Sequence, residues 1–350
     1  VAITSKDPWL AVNFSMFFPG MGQFYARKRV RGLIFLLGQI GIIAIALWSI
    51  FSPQGNPIVG FFYLCLALGV YLINILDAHL NVYQQQGNPA LERIPRQQKN
   101  PWFAVFVSRL LPGLGQLYNN QSLIGIFFLS STLMLLQLKN FFPSLLIVPP
   151  FLAAIATYHA YVTFPQRTKL RRQSLIAAIV GIIFIWGLIS SYFPQWIAQK
   201  IQLFDIPSAS MQPTLQIGDR VFVSSASYYL PHPGDIIVFS PTENMKALDE
   251  ETAQQPDVYF IKRVIGVAGQ TVQIKEGVVY LDNIPLKEKY IAQSPNYQWG
   301  PEIIPEDNYF VLGDNRNNSF DSHVWGFLPK DYLVGPAYKI VWPPARVKEL

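Results

Sequence analysis

Five long apolar runs fall within the first 193 of the 350 residues: Gly32–Phe51, Ile58–Leu76, Leu123–Leu138, Leu145–Phe164 and Ser174–Phe193. A helix needs about 20 apolar residues to cross a hydrocarbon core, and a segment inside lipid must satisfy its own backbone hydrogen bonds. These runs therefore commit the first half of the chain to a multi-span α-helical membrane region. The third run is short and the fourth carries Pro149-Pro150, so the fifth is the cleanest. Half of all residues are apolar and only 14% are charged, which excludes a wholly soluble chain.

Charge placement gives the region a direction. Residues 1–200 carry +12 and the remaining 150 carry −6, making the net +6. The positive charge does not read as a nucleic-acid surface, because it is gathered in loops between apolar runs. Arg27, Lys28, Arg29 and Arg31 precede the first run, and Arg93, Arg96 and Lys99 separate the second from the third. Arg167, Lys169, Arg171 and Arg172 separate the fourth from the fifth, while the alternate loops, 51–57 and 139–144, hold only Lys139. Basic loops stay cytoplasmic, so five spans keep the N-terminus inside and deliver everything after Phe193 outside. The first apolar stretch is followed by Arg27-Lys28-Arg29, not by a small-residue cleavage site, so no cleavable export signal is expected. Cys65 is the single cysteine, which excludes an internal disulfide and a cysteine-built zinc site.

The membrane region repeats itself at an offset of 93 residues. Pro8-Trp9 matches Pro101-Trp102, Pro19-Gly20 matches Pro112-Gly113, Gly22-Gln23 matches Gly115-Gln116, and Tyr25 matches Tyr118. Each copy reads as a short apolar stretch, a Pro-Gly-x-Gly-Gln-x-Tyr turn and two spans. The short stretch cannot cross, which makes it interfacial or re-entrant, and the turn looks like that of small two-span membrane modules. The expected domains are a first membrane repeat (1–100, spans about 32–51 and 58–76), a second (101–173, spans about 123–138 and 145–164), an anchor helix (174–193) and a β-rich domain (194–350).

Beyond Phe193 the texture changes to short alternating runs punctuated by turn signals. Strands are expected over Arg220–Ser224, Asp235–Phe239, Val258–Val267, Thr271–Lys275, Gly277–Asp282, Tyr309–Leu312 and Ala337–Trp342, forming a compact barrel-like sheet around one core. Pro241–Asp257, polar and acidic, reads as a solvated loop.

Two short runs in this domain carry chemistry. Ser210 lies in Pro207-Ser208-Ala209-Ser210-Met211-Gln212-Pro213, and Lys262 follows within Tyr259-Phe260-Ile261-Lys262-Arg263. A serine hydroxyl needs a base to take its proton. Among the histidines, His79 and His159 fall at or within apolar runs and His232 sits in a turn, leaving His323 as the candidate for a Ser-His-Asp arrangement. Lysine can serve only when neutral, which requires burial to lower its pKa from about 10.4. Tyr259, Phe260, Ile261, Val264 and Ile265 give Lys262 an apolar neighbourhood. Strand alternation equally allows Lys262 to face solvent as an ordinary surface charge, and Ser208 to be only a turn residue.

Four blocks in order resemble the type I signal peptidase (leader peptidase) family, over roughly residues 174–345. They are Phe204-x-Ile206-Pro207-Ser208-Ala209-Ser210-Met211-x-Pro213-Thr214-Leu215, Gly234–Phe239, Phe260-Ile261-Lys262-Arg263-Val264-Ile265-Gly266, and Gly313-Asp314-Asn315-Arg316-Asn317-Asn318-Ser319-Phe320-Asp321-Ser322. The resemblance implies a signal-peptidase-like β-fold with Ser210 as nucleophile and Lys262 as general base. It further implies an oxyanion hole from the Ser210 amide and the Ser208 hydroxyl, with Ser319 holding the lysine ammonium. Asp321 would brace the site, Asp314 and Arg316 would support the turn, and Ile206, Met211, Leu215, Phe260 and Ile261 would line shallow apolar pockets or pack as core. Asn317 stands where aspartate is usual and His323 where arginine is usual. The repeated membrane region departs from the one or two anchors usual in the family.

The function implied is removal of signal peptides from exported preproteins by a membrane-bound serine endopeptidase. The peptidase domain would sit on the extracytoplasmic side of a bacterial plasma membrane, in contact with the bilayer and with export machinery. No metal or other cofactor is called for. Three rivals differ in class: a non-enzymatic membrane scaffold with a decayed peptidase domain, a Ser-His-Asp peptidase using His323, and a soluble self-cleaving repressor-type peptidase.

Overall fold

The structure, a computed structural model, describes residues 6–85, 92–138, 143–164, 173–225, 229–254 and 258–350. Lys139, Arg167, Lys169, Arg171 and Arg172 lie outside the described residues. The chain divides into two units, one holding residues up to Trp48 with Val59–Trp196, the other holding Ser49–Ile58 with Ile197–Leu350.

The first unit is helical: α1 Pro8–Phe17, α2 Met21–Tyr25, α3 Arg29–Phe51, α4 Pro57–Gln85, α5 Pro101–Leu110, α6 Leu114–Tyr118, α7 Ser122–Leu138, α8 Val148–Val162 and α9 Gln173–Lys200. Among the described residues four segments, α3, α4, Leu145–Val162 and α9, are long and apolar enough to cross a membrane. The third expected span, α7, has 17 described residues, about 26 Å of rise against a core of about 30 Å. Side chains such as Leu33, Ile34, Leu37, Phe61, Phe62 and Leu123 are exposed, a composition that fits helices of a membrane protein. Helix α9 runs seven residues past the expected end at Phe193, through Pro194. Hydropathy marks where the apolar stretch stops, whereas the helix continues through Gln195–Lys200.

The internal repeat is structural. Asp7 caps α1 and Asn100 caps α5, each side chain accepting from the amides two and three residues on. The Tyr25 hydroxyl accepts from the Asp7 amide, and the Tyr118 hydroxyl from the Asn100 amide. Gly20 and Gly113, both at positive φ, start the turn helices. A Cβ would stand 2.0 Å from the Gly32 carbonyl oxygen in the first copy and 2.4 Å from that of Gly125 in the second. Glycine is required there both by backbone conformation and by the helix crossing beside it. Gly22 would crowd Ala11, Ser15 and Ala78, and Gly115 would crowd Ala104, Ser108 and Ala160. The last partner shifts from an offset of 93 to one of 82, so the second hairpin is eleven residues shorter.

The copies are tied together by polar groups. Asn100 donates to the Asp7 carboxylate at 2.8 Å and Asn13 donates to the Trp102 carbonyl at 2.9 Å. Arg109 donates to the carbonyls of Asn13 and Met16 at the end of α1. One face of α9 completes the core, where Ile176, Ile179 and Ile183 pack with Leu10, Trp102, Val105 and Tyr161.

The second unit is mainly β. Its strands are β1 Ile201–Asp205, β2 Arg220–Ser224, β3 Ile236–Phe239, β4 Phe260–Val267, β5 Thr271–Lys275, β6 Val278–Leu281, β7 Ile284–Pro285, β8 Trp299–Ile303, β9 Asn308–Leu312, β10 Leu328–Pro329, β11 Leu333–Trp342 and β12 Lys348–Glu349. They form two sheets: an eight-stranded one ordered β1-β2-β11-β3-β4-β9-β10 with β12 on β11, and a four-stranded one ordered β7-β6-β5-β8. The expectation of one barrel-like sheet and one core is corrected, since three apolar clusters fill this unit. Strand β4 pairs directly with β9, and the residues between them make the smaller sheet. Alternation marks strands but not which strands pair. Two short helices, α10 Glu243–Leu248 and α11 Glu250–Gln254, replace the expected solvated loop, of which residues 255–257 lie outside the described residues. Thr242 caps α10 and Met245 buries its side chain in a core cluster.

Candidate active site

Strand β4 supplies the lysine. Six of its eight residues are buried, because β3 and β9 flank it and apolar clusters cover both faces. A strand covered on both sides has no solvent face, so alternation cannot carry Lys262 to water. Lys262 is 3% exposed, and its Nζ stands 2.8 Å from Ser210 Oγ.

Ser210 lies in the segment joining β1 to β2, folded back by the Ile206 amide on the Asp219 carbonyl and the Gly218 amide on the Ile206 carbonyl. Met211 and Leu215 anchor it in the first core cluster. Two donors from the 313–323 turn fix its backbone: the Asn315 amide donates to the Ser210 carbonyl at 3.0 Å, and the Asn315 side chain to the Ala209 carbonyl at 3.2 Å. Ser208 Oγ lies 3.2 Å from Ser210 Oγ and is more exposed.

Burial pushes the Lys262 amine down from 10.5 to about 8, against the pull of the Asp321 and Asp314 carboxylates. A neutral amine at this distance can accept the serine proton, which a solvated lysine cannot do at neutral pH.

The turn after β9 carries the supporting charges. Asp314 is wholly buried and paired two-pronged with Arg263, at 2.8 and 2.7 Å, while the Thr214 hydroxyl donates to it. Arg316 donates to both oxygens of Glu288 and, through Nε, to the Gly313 carbonyl. Asp321 accepts the Gly313 amide at 2.9 Å on one oxygen and meets His323 Nδ1 at 2.6 Å on the other. Asn317, the other departure from the family pattern, bonds the Asn296 amide and the Ser294 carbonyl.

Several expected site residues stand differently from their assigned places. The Ser319 hydroxyl is buried without a hydrogen-bond partner among the described residues; it packs against Gly313, where a Cβ would lie 2.2 Å from it. Met211 and Leu215 have no exposed surface and so support the site from beneath instead of lining it. Ile206 and Ile261 share their cluster, but Phe260 packs against the neighbouring one with Phe239 and Phe320. His323 has its Nδ1 committed to Asp321, and no hydrogen bond links it to Ser210 among the described residues. Arg263, Glu288 and Tyr290 were not anticipated. Arg263 had a signal, since it adjoins Lys262 in a buried strand and a buried guanidinium requires a carboxylate. Glu288 and Tyr290 lie in an irregular stretch with no local signature.

A serine beside a desolvated lysine, on a β unit joined to apolar helices, has the features of a membrane-associated peptidase. A family model described as "Signal peptidase, peptidase S26" matches residues 172–342. Signal peptidase I of Leptolyngbya laminosa is 50% identical over 147 residues, 41% of this chain and 70% of that protein. Probable signal peptidase I-2 of Synechocystis sp. is 49% identical over 144 residues, 41% of this chain and 63% of that protein. Thylakoidal processing peptidase 1, chloroplastic, of Arabidopsis thaliana is 38% identical over 146 residues, 41% of this chain and 43% of that protein. The chain belongs to the signal peptidase family, S26. The repeated membrane region lies before the matched residues.

Proposed function

We propose that this protein is a membrane-bound serine endopeptidase that removes N-terminal signal peptides from exported preproteins with a Ser210–Lys262 dyad. The observation that carries the reading is the 2.8 Å approach of a buried amine to the serine hydroxyl. Neutral Lys262 takes the Ser210 proton as Oγ attacks the scissile carbonyl carbon. The tetrahedral oxyanion is met by the Ser210 amide and the Ser208 hydroxyl, each such donor contributing about 3–4 kcal/mol in the transition state. Protonated Lys262 returns the proton to the leaving amine, and an acyl group remains on Ser210. The lysine, neutral again, activates the water that releases it.

The substrate binds extended along a sheet edge through its backbone, with small side chains against Ile206 and Ile261. Arg263, Asp314, Arg316 and Glu288 hold the turn that fixes the serine backbone. The domain layout is that of two membrane repeats (1–100 and 101–173), an anchor (174–193) and the peptidase domain. Helix α7 occupies in the second repeat the place that α3 has in the first, which supports counting it as a span. Five spans then put the N-terminus in the cytoplasm and the peptidase domain outside, where it meets exported chains beside the bilayer and the export machinery. The membrane is the bacterial plasma membrane in this reading; the likeness to a thylakoidal peptidase supports a thylakoid membrane as the second.

The test is cleavage of a preprotein by the full-length protein in detergent. Ser210→Ala should abolish cleavage while the protein remains membrane-integrated. Cleavage retained by Ser210→Ala removes the assigned nucleophile, and with it the mechanism.

A further inference from the structure

The 313–323 turn is held from outside by one irregular stretch, residues 287–298, on the way from β7 to β8. The Ala292 amide donates to the Asp314 carbonyl at 3.0 Å, Glu288 holds Arg316, and Tyr290 lies against the Arg263 guanidinium at 4.0 Å. At the end of the stretch the Tyr297 ring stacks on the His323 imidazole, with centroids 3.9 Å apart and planes 12° from parallel. The Tyr297 hydroxyl is buried with no hydrogen-bond partner among the described residues, so its contribution here is the ring face. Burial, then the nearby Asp321 charge, holds the phenol neutral by raising its pKa. Neither residue touches Ser210 or Lys262 by any hydrogen bond among the described residues.

Their connection to the dyad runs through Asp321, whose carboxylate is wholly buried between His323 and the Gly313 amide. Gly313 in turn packs against the Ser210 carbonyl and Ser319. We propose that Tyr297 and His323 are positioning residues for the dyad: the stacked ring fixes the imidazole, and the imidazole fixes Asp321 and sets the charge that Lys262 feels from it. This rests on the Ser-Lys reading given above. The groups facing His323 are Asp321 from its own turn and Tyr297 from the 287–298 stretch. Glu288 and Arg316 act on Tyr297, while Asp314 and Asp321 both act on Lys262.

Arginine at position 323 would be a permanent cation, whereas imidazole holds a carboxylate either as a neutral donor or as a cation. The Asp321 charge favours protonated Lys262. A cation at 323 cancels that charge and lets Lys262 release its proton at lower pH.

The experiment is a pH profile of kcat/KM for preprotein cleavage by the full-length protein in detergent. His323→Arg should move the acid limb down by about half to one pH unit, while His323→Gln, a neutral side chain, should produce no downward shift. Tyr297→Ala should lower kcat about tenfold or more with little change in KM, and Tyr297→Phe, which keeps the ring, should restore it. A His323→Arg profile that superimposes on the wild type overturns the proposal, as does a wild-type kcat in Tyr297→Ala. If Tyr297→Ala fails to fold, the His323 pair decides alone. Activity in a Ser210→Ala control sinks the Ser-Lys reading itself; an inactive control with unshifted His323→Arg sinks only this inference.

Discussion

Replacing Lys262 by methionine should abolish cleavage and yet make the protein more stable at neutral pH. The lysine is buried, and its folded-state pKa is lowered from 10.5 to about 8. One pKa unit corresponds to about 1.4 kcal/mol, so holding the charged amine in this place costs about 3 kcal/mol. The sign follows from proton counts. Below pH 8 the amine is protonated in both states and the folded state bears the full cost. Between pH 8 and 10.5 the folded state has released its proton while the unfolded chain keeps it, so the cost shrinks as pH rises. Above 10.5 neither form is charged and the cost is gone. Methionine matches the length of the aliphatic stem without the charge. Denaturant unfolding of the full-length protein in detergent, repeated from pH 6 to 11, should show Lys262→Met more stable by about 3 kcal/mol at pH 7, with the gap closing by pH 10.5. A variant less stable than wild type at pH 7, or a gap that does not change with pH, refutes the claim of a desolvated amine.

Arg263→Ala should cost about 3–5 kcal/mol, because it strands the wholly buried Asp314 carboxylate; near-native stability in denaturant would show that the pair is not the support described. In the membrane unit, Gly113→Ala must place a Cβ 2.4 Å from the Gly125 carbonyl oxygen at φ 108. It should lower thermal stability in detergent by the equivalent of about 1–3 kcal/mol or more. Gly38→Ala, with open space around it, should have no such effect, and equal melting of the two variants would contradict the repeat's packing.

How much of this was legible in the sequence depended on whether the signal was local. Thr271–Lys275 and Arg220–Ser224 were readable as strands because their alternation is set by one buried face. Strand β1 has two of its five residues half-buried and the rest exposed, and β8 carries Gly300 and Pro301, so neither offers that pattern. Ser210 and Lys262 were visible because each sits in a motif, but which way Lys262 points was not, since alternation allowed either face. Its burial comes from β3 and β9, both distant in sequence. The same limit hid Glu288 and Tyr297, which matter only because a chain excursion returns to the 313–323 turn. In the membrane half, matching turns disclosed the duplication, whereas the eleven-residue deletion emerged only when Ala78 and Ala160 were seen to fill the same place.

The most direct measurement of the central claim is the acid limb of kcat/KM for wild-type cleavage, which reports the free enzyme's essential base. A midpoint near pH 8 is expected, matching the lowered lysine. A midpoint near 6.5, the ordinary range of histidine, or above 10, that of a solvated lysine, would contradict a dyad built on a dry amine.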